Sequence, residues 1–208
     1  MTSKTCILIG SPVDSGKSRR GCLMGPDAYR VAGLGEALES LGHVVKDAGN
    51  LSPGAATAPE ALPDHVHAPA ESIGWTKALA DAADAAMQEG LPIFLGGDHS
   101  LSLGSVLGVA RDAARRKRPQ FILWLDAHSD FHTPQSTASG NLHGTPLGYI
   151  TGRDGFHGFP EVRHPVPQDN ICILGLRSVD AAEREVLQKS EIRYADMRAI
   201  DEAGIARP

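Results

Sequence analysis

The chain has 208 residues, 41% of them hydrophobic and 22% charged, enough for one sizeable core or most of a larger one. Its formal net charge of −5 gives no electrostatic case for nucleic acid, and no apolar stretch approaches a membrane span, so neither is expected as a partner. The N-terminus enters the apolar segment Cys6 to Ile9 without a signal-peptide layout, and Cys6, Cys22 and Cys172 are scattered and odd in number. The expectation is a cytoplasmic protein with reduced thiols and no thiolate metal site.

Cys6 to Ile9 reads as the first strand. The following GSPVDSGKS, Gly10 to Ser18, has the look of a phosphate loop, but five residues separate Gly10 from the Gly16-Lys17 pair where the anion cradle needs four, so a nucleotide function is set aside. A helix is expected from Pro26 to Leu41, with proline near its start, Val31, Leu34, Leu38 and Leu41 as its packing face, and Gly42 as a left-handed stop. A short extended run follows at His43 to Val45. Leu51 to Pro69, rich in proline, alanine and glycine, reads as a surface loop without nameable chemistry. A second helix spans about Pro69 to Glu89 and leads to a strand at Pro92 to Leu95. A third, Ser100 to about Arg116, packs through Leu103, Val106, Leu107 and Ala110 and leads to the strand Phe121 to Leu125. The basic run Arg115 to Arg118 falls where that helix ends, where cations complement the helix dipole. Gly152 to Pro167 is irregular, and its His157 and His164 read as ordinary loop residues. A strand at Ile171 to Leu176, a helix over Ala181 to Lys189 and a short extended piece near Ile192 to Tyr194 complete the pattern. Apolar runs alternating with amphipathic helices specify an α/β fold with a parallel sheet and helices on both faces.

The chemistry concentrates between Leu95 and Gly144, where LGGDHS, LWLDAHSDFHTP and SGNLHG occur in succession. Asp126, His128 and Asp130 alternate with Ala127 and Ser129 just after an apolar run, so an extended backbone would turn all three side chains to one face. The run Leu91 to Leu95 ends in Gly96 and Gly97 and delivers Asp98 and His99; if the two strands are parallel neighbours, His99 joins the same site at their carboxyl ends. Ionisable residues directly after a buried strand are costly unless paired or metal-bound. Imidazole with carboxylate and no cysteine suits a divalent ion such as Mn²⁺. His143, in the Gly140 to Gly144 turn, reads on its own as a structural loop histidine and gains weight beside His99.

Carrying these motifs, the chain resembles the ureohydrolases over its whole length, and arginase most closely among them. SPVDSGKSRRGCLMGPDAYRVAGL resembles the opening segment, GGDHS and DAHSD the first two metal motifs, and SGNLHG the substrate loop. GLRSVDAAE, Gly175 to Glu183, resembles the segment that reads the substrate's amino group, and it and SGNLHG together favour arginase over agmatinase.

The resemblance implies a three-layer αβα fold with a central parallel sheet, as in arginases and deacetylases, and one catalytic domain over 1–208 that lacks its C-terminal third. It implies two Mn²⁺ ions, one held by His99, Asp126 and Asp130 and one by His128 and Asp126, with Asp126 bridging. It further implies hydrolysis of L-arginine to L-ornithine and urea by a hydroxide shared between the ions. Asp130 would take part in proton transfer and His143 would be the proton shuttle. Thr137, Ser139 and Asn141 would bind the carboxylate, and Asp180 and Glu183 the α-ammonium. His132 stands where arginases commonly place an asparagine on the carboxylate. The family's third metal motif and its guanidinium-holding glutamate have no counterpart before Pro208, and Asp201 and Glu202 do not replace them. The resulting expectation is a central sheet lacking inner strands, and a chain unstable alone, or held by partner chains or by a further C-terminal piece, the family being commonly a homo-oligomer, trimer or hexamer. Alternatives are another guanidino-type substrate (agmatinase, guanidinobutyrase or formimidoylglutamase) or a non-catalytic truncated homologue.

Overall fold

A computed structural model describes residues 2–204; the chain end at Pro208, on which the truncation expectation turns, lies outside the described residues. Strands and helices alternate in the order β1 (Thr5–Ser11), α1 (Gly25–Val31), α2 (Leu34–Ser40), β2 (Val44–Asn50), α3 (Pro69–Glu89), β3 (Leu91–Gly96) and α4 (Leu101–Arg115). After them come β4 (Ile122–Leu125), α5 (Pro146–Ile150), β5 (Ile171–Leu176), α6 (Ala181–Gln188), β6 (Arg193–Asp196) and α7 (Met197–Ala203). Every strand pairing among the described residues is parallel, so the α/β architecture is present with helices flanking the strands.

The strands form two three-stranded sheets, ordered β2-β1-β3 and β4-β5-β6, rather than one continuous sheet. The conditional pairing of the strand before His99 with the strand before Asp126 is therefore corrected: β3 and β4 are edge strands of different sheets. Their rims carry exposed apolar side chains. Leu123 and Leu125 are 62% and 71% exposed while Ile122 and Trp124 between them are buried, so β4 is covered on one face only.

Two further corrections are local. The helix expected over Pro26 to Leu41 is broken into α1 and α2 at Ala32-Gly33, because Gly33 takes the left-handed conformation with φ 82°. Of the four apolar positions read as its packing face, Val31 and Leu41 are 90% and 63% exposed and Leu34 and Leu38 are half-buried. The strand expected at His43 to Val45 runs on to Asn50, pairing with β1 beyond the apolar residues that announced it. Gly42 does adopt a left-handed φ of 85°, and all three cysteines are free.

Packing between α3 and α4 joins the two sheets. Trp75, Leu79 and Ala86 of α3 meet Val13, Ile7 and Ile9 on the β1 side. Leu103, Leu107 and Ala110 of α4 belong instead to the cluster holding Ile122, Trp124, Ile171 and Ile173 of the second sheet. The faces are set by helical spacing, since residues four apart stand over one another.

At the outer end of this pair, the buried Asp112 of α4 accepts from Gln88 Nε2 of α3 at 2.8 Å and from Arg115 Nη2 at 2.8 Å, and it pairs with Arg116 Nε at 2.8 Å. Burial pushes its carboxyl up, but these donors outweigh burial and hold it below the usual range. A depressed carboxylate contributes stability above its unfolded pKa of about 3.9 and loses it as the pH falls through the folded value. Asp112→Asn is accordingly expected to lower the urea midpoint at neutral pH, and to converge on the parent only as the pH falls from about 4 through the lower folded value. Equal midpoints at pH 7 would show that the cluster contributes nothing.

Candidate functional site

All eleven side chains singled out in the sequence line one cleft of about 420 Å³. Its floor is set by the ends of β3 and β4. His99 follows β3, and its Nδ1 lies 2.9 Å from Asp130 Oδ2 and 3.2 Å from Asp126 Oδ2, although the two strands share no ladder. Beneath them the Trp124 indole stacks on the His99 ring with centroids 4.7 Å apart, and Trp124 Nε1 donates to Asp130 Oδ2 at 3.2 Å.

Asp126 to Asp130 does not continue the extended backbone, as the alternation had suggested. The strand ends at Leu125, Asp126 Oδ1 accepts from the His128 amide at 2.9 Å, and Asp130 has a positive φ of 48°. This turn brings Asp126 and Asp130 together with His99. It leaves His128 on the rim, 59% exposed, with Nδ1 3.3 Å from Asp126 Oδ1. Asp130 is fixed through its own carbonyl, which accepts from Leu147 and Gly148 at the start of α5.

One ligand atom from each of His99, Asp126 and Asp130 lies within 4.8 Å of the others, a mixed nitrogen and oxygen donor set without thiolate that fits a borderline to hard divalent ion. Burial pulls the His99 imidazole down, but its hydrogen bond to Asp130 and the charges of Asp130, Asp126 and Asp98 outweigh this and lift it above its ordinary value.

Around this floor runs the loop from Thr137 to His143. Thr137 Oγ1 lies 3.2 Å from Ser139 Oγ, and Asn141 Oδ1 accepts from the Ser18 amide at 2.9 Å. The His143 amide donates to the Gly16 carbonyl at 3.0 Å, and burial pushes its half-buried ring below the ordinary value against the charges of Asp98 and Asp130. Opposite, Asp180 caps α6 by accepting from the Glu183 amide at 2.9 Å, which, with His132, holds its carboxyl below the usual range.

Sequence reasoning passed over several supports of this cleft. Asp98, delivered with His99 but given no role, is buried and accepts from the amides of Gly16 at 3.0 Å and Ser100 at 2.9 Å, tying the 14–18 segment to the end of β3. The amide once considered for a phosphate is thus committed to a carboxylate. His65 and His67, in the stretch read as chemically empty, reach the Thr137 and Ser139 carbonyls at 2.9 and 3.1 Å and brace the polar loop. Arg153 lies 4.8 Å over the Phe131 ring and bonds the Phe131 carbonyl from behind the site. Only the histidines' proximity to a polar loop could have flagged them, and that is a tertiary fact.

A larger groove of about 640 Å³ between α4 and the 160–164 loop is lined by Arg111, Arg115, Arg163 and His164, with no metal-type donor cluster among the described residues. No helix is long and apolar enough to cross a membrane among the described residues.

The profile of the Arginase family matches residues 4–208. An arginase of Brucella melitensis biotype 1 is 52% identical over 97% of this chain, and one of Agrobacterium fabrum is 48% identical over 99%. The chain spans 66% and 64% of the lengths of these two relatives. Among solved structures, the arginase of Bacillus caldovelox superposes with a TM-score of 0.83 at 32% identity, covering 98% of this chain and 68% of that one.

Proposed function

Because the chain belongs to the arginase family, we propose that it carries that family's amidinohydrolase site and acts on L-arginine, releasing L-ornithine and urea, with two manganese ions as cofactor. One observation carries this reading. The His99, Asp126 and Asp130 donor set opens into a single cleft between a hydroxyl- and amide-bearing loop and the carboxylates of Asp180 and Glu183. A guanidino amino acid has a group for each of these three regions.

His99, Asp126 and Asp130 would hold one ion, and His128 with Asp126 the other. When bound, the ions would lower the pKa of the attacking water and offset charge that develops in the transition state. Asp130, whose Oδ2 is already aimed by Trp124 Nε1, would receive the water's proton. His143, its imidazole pushed below the ordinary value by burial, would relay that proton to the departing amine. Thr137, Ser139 and Asn141 would take the α-carboxylate, and Asp180 and Glu183 the α-ammonium. His132 is committed on both ring nitrogens, to Ser136 Oγ at 3.0 Å and Asp180 Oδ2 at 2.8 Å, so its role would be to orient Asp180 rather than to meet the substrate carboxylate.

The test is urea release from L-arginine, agmatine and 4-guanidinobutyrate, and formamide release from formimidoylglutamate, by the full chain reconstituted with Mn²⁺. L-arginine is expected to exceed agmatine in kcat/KM by at least about 10-fold, since hydrogen bonds to a charged group contribute about 1.5–3 kcal/mol. A preference for agmatine would move the reading to agmatinase, and no release from any of the four would sink the catalytic reading for this chain.

A further inference from the structure

We infer that His65 and His67, which lie outside the lining of the cleft, are positioning residues that set its selectivity for an α-carboxylate by holding the loop from Thr137 to Gly140; the inference rests on the substrate reading above. The Thr137 carbonyl accepts from His65 Nε2 at 2.9 Å, the Ser139 carbonyl from His67 Nε2 at 3.1 Å and the Gly140 carbonyl from the His67 amide at 3.0 Å. One three-residue segment thus takes three of the four carbonyls in this stretch. Since a carbonyl oxygen can only accept, each ring must carry a proton on Nε2.

The clamping segment is itself anchored. Leu62 and Val66 are buried in the same apolar cluster as Leu142 and Leu147, and the Val66 amide donates to the Pro63 carbonyl at 3.1 Å. The two segments also meet backbone to backbone. A Cβ at Gly140 would collide with the His65 carbonyl oxygen, and Gly140 has a φ of 70°, so glycine is what lets them close on one another.

What the clamp takes decides what a ligand meets. Thr137, Ser139 and Asn141 line the cleft and the two histidines do not, so the loop's carbonyls are drawn onto groups outside the cleft while its polar side chains border it. A carbonyl oxygen turned inward would repel a carboxylate, whereas a hydroxyl can donate to it. Thr137 Oγ1 and Ser139 Oγ stand 3.2 Å apart, a spacing that lets both reach one carboxylate, and Ser139 Oγ accepts from the Asn141 amide at 3.3 Å. Release of the carbonyls would let this pair drift, and a substrate without a carboxylate would not register the change.

The test compares the parent with the double variant His65→Ala, His67→Ala and with His65→Gln, His67→Gln, whose side-chain amides can place a donor near each lost Nε2. Circular dichroism checks the fold, and His67→Ala alone serves if the double alanine chain does not fold. Amide hydrogen exchange over 137–141 is read first, on the full chain without metal or substrate. It is expected to quicken about 10-fold in the alanine chain, the scale of two lost hydrogen bonds, and to slow again in the glutamine chain. With Mn²⁺ supplied, the ratio of kcat/KM for L-arginine over agmatine is expected to fall about 10-fold in the alanine chain, through the KM for L-arginine rather than kcat, and to recover in the glutamine chain. General damage to the fold or to metal binding would lower both substrates together and leave the ratio in place. Parent-like exchange in the folded alanine chain, or faster exchange with an unchanged ratio, would overturn the inference. A parent that releases no urea would sink the function proposed above and not this one, since exchange, and the affinity for L-ornithine against putrescine by calorimetry in place of the ratio, are read without turnover.

Discussion

A Gly108→Leu chain is expected to lose about 3 kcal/mol or more of stability, at or beyond the upper end of the usual cost of overpacking. A Cβ at Gly108 would lie 2.3 Å from the Ala80 carbonyl oxygen, 2.5 Å from Ala83 Cβ and 2.9 Å from the Asp84 amide nitrogen. One turn earlier, a Cβ at Gly104 would meet the Thr76 carbonyl oxygen at 2.4 Å and Leu79 Cβ at 2.5 Å. These neighbours are helix backbone and first side-chain carbons, which cannot step aside as a flexible side-chain end can, so a larger residue must part α3 from α4. That contact joins the sheet containing β1 to the sheet containing β5, so the damage is not local. Since a domain's whole stability is about 5–15 kcal/mol, the loss is a large share of it. The measurement is a urea melt against the parent and against Gly54→Ala, where an added Cβ meets nothing within 4 Å and the change should stay within about 0.5 kcal/mol. An unchanged midpoint for Gly108→Leu would mean that the helices are not in close contact.

Asp130→Asn should abolish urea release and weaken Mn²⁺ binding at the His99 cluster by at least about 100-fold, more than removal of an outer partner costs. The substitution keeps size and backbone. The Asp130 carbonyl still accepts from Leu147 and Gly148, so the turn itself survives. Lost are the negative charge facing His99 Nδ1 at 2.9 Å and one of three ligand atoms in the cluster. Metal titration and the urea assay on one preparation separate the two effects, and circular dichroism checks the fold. Full urea release from Asp130→Asn would remove Asp130 from both of its proposed roles. Retained metal with lost turnover would confine it to proton transfer.

Much of this was legible in the sequence for a physical reason: both kinds of element and the polar residues at their ends are encoded locally. β5 begins and ends where its apolar run does, and α3 where Pro69 and Gly90 bracket its alanine-rich pattern. Gly33 was harder to read. The apolar spacing of Val31, Leu34 and Leu38 carries straight across it, and one glycine in a helical pattern is usually tolerated. The DAHSD segment misled for a related reason. Alternation suggested strand, whereas Asp126 bonds the amide two residues on and ends the strand itself. That β3 and β4 are unpaired, that His65 and His67 brace the polar loop, and that Arg153 backs Phe131 depend on contacts between residues far apart in the chain, on which local pattern is silent.

The division into two sheets gives the cleft a mechanical meaning. His99 is suspended from one sheet and Asp126 and Asp130 from the other, with no ladder hydrogen bond between β3 and β4. An ion gripped by all three would fasten two bodies otherwise joined chiefly through side-chain packing. By mass action, binding to that closed arrangement and not to a parted one would oppose their separation in proportion to how far the ion concentration exceeds its dissociation constant. The same bonds that prepare the cleft for chemistry would then serve as the rivet of the scaffold.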